Sequence, residues 1–245
     1  MPKAKPTYRE IERWSKANSP RGGARITNFF LHTQEGNGTA ESLAGYLQNT
    51  ANQVSYHYTV DNNGVVCDVV DTDYSSWSVL NANPSSINLC FAGSRAAWSR
   101  AQWLELMGRG IEIAAWLAVQ DCRKYEIPTA VIAPPYRRGS GISDHNYVTQ
   151  VLGMGTHTDV GAGFPWDVFA AHVRDFTTDH QEDNAVMDAQ TAAGLALDQL
   201  AGPGTHVGED FPGWPQLGDR TLVDAVAAIG EKLGVPGCYD PKAEK

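Results

Sequence analysis

From Ile26 to Ala92 the chain is written in short apolar and β-branched runs cut by Gly, Asn and Ser; from Ser99 the spacing lengthens to three and four residues. The first pattern predicts strands and the second helices. Ile26-Thr-Asn-Phe-Phe-Leu-His32 reads as a buried strand that His32 closes, and Thr39 is placed to cap a helix with Leu43, Tyr46 and Leu47 on one face. Val54 to Val60 and Val65 to Val70 are strand-like and joined by Asp61-Asn-Asn-Gly64, where Asn and Gly tolerate the positive φ of a tight hairpin. Ser86 to Ala92 predicts a further strand. Ser99-Arg-Ala-Gln102 has the spacing of a capping box, and the helix it opens carries Leu104, Met107, Ile111, Ala115, Ala118 and Cys122 on one face and Leu106, Ile113 and Leu117 on another.

The prolines of Ile127 to Tyr136 exclude a helix there. After Trp166 a short helix runs to about Phe176, and a polar stretch follows. Val186 to Leu200 is helical in pattern, and Thr221 caps a last helix with Val223, Val226, Ile229 and Leu233 expected inward, stopped by Gly234 and Pro236. The expected architecture is α/β: a mixed central β-sheet flanked by helices, then a small α-helical C-terminal segment. The expected division is an N-terminal arm over 1–25, a main domain over 26–176, a linker over 177–185 and a helical region over 186–245.

At 245 residues, 42% hydrophobic and 19% charged, the chain is long enough to bury a substantial core. Its net charge of −9 is unevenly placed: residues 1–175 hold 15 Lys and Arg against 16 Asp and Glu, and residues 176–245 hold 4 against 12. No basic stripe is present to neutralise phosphates, so nucleic acid is not an expected partner. No apolar run is long enough to span a bilayer, which argues against membrane insertion, and the N-terminus lacks the apolar segment of a secretory signal. Cys67, Cys90, Cys122 and Cys238 show no CxxC spacing and read as reduced thiols.

The chemistry concentrates in Gly141 to Trp166, where two histidines and two aspartates lie between glycines and a closing Phe164-Pro-Trp166 able to pin the loop to a core. Catalytic zinc takes three ligands from His, Asp, Glu or Cys and keeps a fourth position for water. His145, His157, Asp144 and Asp159, with His32 upstream, supply the candidates for a zinc hydrolase. His157 and Asp159, two apart, project to one side of an extended segment and could reach one metal together.

Phe30-Leu-His-Thr33, Val54-Ser-Tyr-His-Tyr58, Ser86-Ile-Asn-Leu89 and Thr158-Asp-Val-Gly161 with Phe164-Pro-Trp166 resemble, in that order, the motifs of the type 2 N-acetylmuramoyl-L-alanine amidases, a zinc family that includes phage lysins and peptidoglycan recognition proteins. The wording of Leu31-His-Thr-Gln-Glu-Gly36 and Gly213-Trp-Pro-Gln-Leu-Gly218 is most similar to lysins of phages infecting mycobacteria and related bacteria. The resemblance implies a zinc site of His32, His145 and Asp159. It places His157 where relatives often carry a Lys that steadies the oxyanion, and Tyr56 where they carry a tyrosine beside the zinc water. Where some relatives have a catalytic Glu, this chain has Cys90.

Strand alternation puts Tyr56 and His57 on opposite faces, and Tyr56 is the one expected to face the site. Glu35 could serve as a general base but reads better as an exposed loop carboxylate, and Asp144 as a partner or cap beside the ligands. The implied activity is hydrolysis of the amide between N-acetylmuramic acid and L-alanine in peptidoglycan, as a phage endolysin made in the host cytoplasm without a signal peptide and acting, as a monomer, on the wall. The alternatives are a non-catalytic peptidoglycan-binding module and a zinc peptidase acting on the stem peptide. Phe211 and Trp214 in the acidic tail would suit either a wall-binding surface or a packed cap.

Overall fold

A computed structural model describes residues 3–183, 196–198, 200, 202, 211, 213–242 of the chain. Eight strands and five helices are named here in chain order: β1 Arg9–Glu12, β2 Asn18–Pro20, β3 Asn28–Thr33, α1 Ala40–Leu47, β4 Tyr58–Val60, β5 Val65–Asp68, β6 Tyr74–Ser76, β7 Ser86–Phe91, α2 Arg100–Lys124, β8 Gly141–Asp144, α3 His145–Gln150, α4 Trp166–Asp183 and α5 Leu222–Lys232. The six-stranded sheet runs β1-β5-β4-β7-β3-β8, and β2 pairs with β6 in a separate two-stranded ribbon. Within the large sheet only β4 and β5 are antiparallel. They form the expected hairpin at Asp61 to Gly64, where Gly64 takes φ +79° and the Asp61 side chain accepts from Asn63 and Val65 N–H.

Every residue of β3 and β7 is buried, as suits central strands covered on both faces. Phe29, Leu31, Ile87, Leu89 and Phe91 join Trp103, Met107 and Ile111 of α2 and Phe169 and Phe176 of α4 in the main core. The other face packs Cys90 against Ala40, Leu43, Ala44 and Leu47 of α1, and Phe30 against Tyr147 and Val148 of α3. His32 lies in β3 between these two smaller clusters. The mixed sheet flanked by helices, with a helix at 222–232, is the architecture the residue pattern predicts.

Several details differ. Residues 9–12, within the polar arm of the sequence reading, form β1 and pair in parallel with β5. The strand expected over 54–60 is regular only from Tyr58. The capping box at Ser99 and Gln102 is formed, but α2 buries Trp103 and leaves Leu104 and Leu106 exposed. Tyr46 of α1 is likewise exposed. α4 continues through Thr177 to Asp183, where a linker was expected, and the helical pattern of 186–200 lies largely outside the described residues.

The chain divides into two compact units, 1–180 and 181–245. In the second, Thr221 caps α5 as expected, but Ala225 and Ala228 are its buried side chains, while Val223, Val226, Ile229 and Leu233, expected inward, are 54%, 60%, 58% and 75% exposed. Among the described residues no helix is long and apolar enough to cross a membrane, and the four cysteines are free.

Candidate metal and active site

The parallel ladders bring the site together. Leu31 of β3 is in register with Asp144 of β8, so His32 and His145 follow at the same level of two adjacent strands. Their Nδ1 atoms are 3.1 Å apart, and Asp159 Oδ2 lies 3.4 Å from the first and 3.6 Å from the second. The three side chains are buried and form the one cluster of metal-binding type found among the described residues.

Two imidazole nitrogens and a carboxylate oxygen within 4.8 Å of one another, out of water, are a donor set that fits zinc. Burial pushes the Asp159 carboxyl upward, but the His145 and His32 rings beside it hold it well below the ordinary carboxylate range. His145 is pushed down, by burial first, with Asp159 opposing, which favours the neutral imidazole a metal needs.

Asp159 sits on a loop secured at several points. Its carbonyl accepts from Asn146 N–H at 2.8 Å, and its carboxylate from Thr33 N–H at 3.4 Å. Asp144 binds both sides of the site: Oδ1 caps α3 through Tyr147 N–H, and Oδ2 accepts from the Tyr136 hydroxyl and from Val160 N–H. Burial raises its pKa to about 7 against those three donors. Gly161 then turns at φ +91° with no room for a side chain, since a Cβ there would lie 2.0 Å from the Ala96 carbonyl oxygen. Phe164 follows in the main core, edge-on to Trp103 and Trp166. The closing Phe-Pro-Trp does pin the loop.

The remaining candidates separate by position. The Tyr56 ring meets His32 at 4.8 Å, and its hydroxyl meets the Cys90 sulfur; burial, then the nearby Cys90 and Asp159, raise its pKa well above 10. Cys90 pairs with His32 across the β3–β7 ladder. His157 is 62% exposed, stacks on His145 at 4.1 Å, and places Nδ1 3.7 Å from Asp159 Oδ1. It is therefore at the rim, outside the buried cluster. Glu35 is exposed, at φ +55°, its Oε1 accepting from Thr33 Oγ1 and Ala96 N–H. His57 is buried away from the cluster; burial lowers its pKa to about 3, and its Nε2–H donates to Tyr74 O.

Glu35, Ala96, Asn146, Thr156, His157 and Asp159 line an open groove of about 620 Å³ beside the cluster. Asn88, one residue before Leu89, touches His32 Nε2 at 2.9 Å and is a site residue that motif reasoning passed over. Its signal was the run Ser86, Asn88, Cys90, three polar or sulfur side chains sharing one face of an otherwise apolar strand.

A mixed sheet whose adjacent parallel strands bring a buried His-His-Asp cluster beside an open groove defines the class: a fold carrying a cluster able to hold a metal ion. The chain belongs to the N-acetylmuramoyl-L-alanine amidase family, which it matches over residues 22–162; residues 181–235 match the Rv3766 C-terminal domain family. Among solved structures it is similar to the Staphylococcus aureus hydrolase AmiA in complex with its ligand, with 16% identity over 74% of this chain and 87% of that one and a TM-score of 0.59. It is also similar to AmpD, 15% identical over 68% and 94% of the two chains, and to the N-acetylmuramoyl-L-alanine amidase LysC from Clostridium intestinale, 13% identical over 69% and 99%, both with a TM-score of 0.50. At these identities the structures attest the fold. No curated protein sequence matches the chain.

Proposed function

We propose that the protein is a zinc-dependent amidase that hydrolyses the bond between the lactyl group of N-acetylmuramic acid and L-alanine in peptidoglycan, as an endolysin does. The observation that carries this is the buried His32, His145 and Asp159 cluster opening on a groove in a chain of the amidase family. When bound, zinc supplies Lewis acidity toward the scissile carbonyl and toward a water, whose pKa falls to about 7.

The chain's own groups do the rest. His157, at the rim of the groove, donates an imidazole N–H to the carbonyl oxygen as it gains charge, a contact typically worth about 3 kcal/mol of barrier. Tyr56, whose ring meets His32, positions or deprotonates that water through its hydroxyl. Tyr56 and His157 are the two groups able to protonate the departing amine. Cys90, in place of a carboxylate, offers no base beside His32; burial first, then Asp159, raises its thiol well above the ordinary range.

The test is zinc content beside cleavage of purified peptidoglycan for wild type, His145→Ala and His157→Ala. His145→Ala is expected to lose metal and turnover; His157→Ala is expected to keep metal and lose turnover by about 100-fold. If His157→Ala loses the metal instead, the ligand set is wrong. New N-terminal alanine with intact muramic acid identifies the amidase; new termini within the peptide would identify a peptidase.

A further inference from the structure

One side of the zinc ligand His32 is held by a buried polar network that the proposed reaction does not use. His32, His57, Ser76, Ser86 and Asn88 are all 0% exposed. Hydrogen positions in this network follow from counting donors. Ser86 Oγ lies 2.9 Å from the Ala82 carbonyl oxygen, which can only accept, so the one hydroxyl proton of Ser86 is committed there. Ser78 Oγ is committed in the same way to Ser55 O at 2.5 Å. Ser76 must then donate to Ser78 Oγ, 2.8 Å away.

Both Ser76 and Ser86 therefore have only lone pairs left to offer Asn88. The amide group facing them, at 3.1 and 3.0 Å, is Nδ2. Oδ1 consequently faces His32 Nε2 at 2.9 Å, and a carbonyl oxygen there requires that Nε2 carry the proton. A neutral imidazole has one, so Nδ1 presents a bare lone pair toward His145 and Asp159. The backbone of Asn88 is held as firmly: its N–H donates to His57 Nδ1 and its carbonyl accepts from His57 N–H, both at 2.9 Å. Because His57 Nδ1 accepts, its proton is on Nε2, which donates to Tyr74 O.

We infer that Asn88 is a positioning residue that fixes His32 in its Nε2–H tautomer, so that Nδ1 is ready as a metal ligand before any metal arrives, and that Ser76 and Ser86 act through Asn88 by preventing its amide from turning over. The inference rests on the metal reading of the cluster. Groups that orient a ligand histidine in this way commonly change metal affinity by about 10–100-fold when removed. His57 is the brace for the strand on which Asn88 stands.

The experiment uses the full chain in two states. In the metal-free protein, long-range proton–nitrogen correlation of the imidazoles should show His32 protonated at Nε2 and bare at Nδ1. The Ser76→Ala/Ser86→Ala double variant, which leaves Asn88 in place, should show a mixture of tautomers. In the second state, zinc affinity is measured by chelator competition. Asn88→Leu should bind zinc about 10–100-fold more weakly, and the Ser76→Ala/Ser86→Ala variant, which keeps the Asn88 acceptor and frees its amide to turn, should weaken by a smaller factor.

Equal zinc binding by wild type and Asn88→Leu overturns the role of Asn88. So does a His32 protonated at Nδ1 in the wild type. Should Asn88→Leu fail to fold, the tautomers of the wild type and of the double variant still decide. A wild type that takes up no zinc while showing the stated tautomer overturns the proposed function itself, a distinguishable failure.

Discussion

Asp159 and Asp121 show how two buried carboxylates of one chain come to opposite states. Asp159 faces two imidazoles and is held ionised, whereas Asp121, on α2 under the sheet, has a hydrogen bond to Tyr58 but no partner at Oδ2 among the described residues. Burial raises the Asp121 pKa to about 7, against an ordinary 3.8. Between those values the folded state holds a proton that the unfolded state has released, so stability falls as pH rises through that window, and the full cost stands above it. Asp121→Asn removes the ionisable group and keeps an acceptor for Tyr58. It is expected to raise stability by about 2–4 kcal/mol at pH 8 and to leave it nearly unchanged at pH 4, as read by urea denaturation at the two pH values. A variant that gains equally at both would show that packing, not ionisation, sets the cost.

At the scale of elements, the loop from α3 to α4 has to place Asp159 while its ends are fixed by Asp144 and Phe164. Gly161 is the point with least tolerance. Gly161→Ala combines a positive φ with a Cβ that would overlap the Ala96 carbonyl, so the loop must move, and Asp159, two residues earlier, moves with it. Expected are a loss of at least 1 kcal/mol of stability and a drop in zinc affinity and turnover together; unchanged metal binding would mean that Asp159 is held from the α3 side alone. The sequence showed this loop's importance and its aromatic clasp, because glycines, acids and Phe-Pro-Trp lie within one stretch. It also showed β3, the hairpin and the capping box, where local chemistry and burial agree. It did not show β1, whose Arg-Glu-Ile-Glu has no apolar alternation: the strand is a largely exposed edge, held by backbone pairing to β5. In α5 the larger apolar residues suggested the buried face, and the structure buries the small ones, Ala225 and Ala228. Periodicity finds a stripe, but not whether a partner covers it.

At the scale of the whole molecule, the site draws on distant parts of the chain: His32 from β3, His145 and Asp159 from more than a hundred residues later. β8 is the outermost strand of its sheet, four residues long, and beyond it, among the described residues, lies an isolated bridge from Val131 to Ile142. An ion held jointly by His32 and His145 would tie this margin to the interior strand β3. Its removal by chelator should therefore be felt as local breathing: amide hydrogen exchange is expected to accelerate in Gly141–Asp144 and α3, with β7 and α2 unaffected. The metal would then be part of the architecture of the sheet margin as well as of the chemistry.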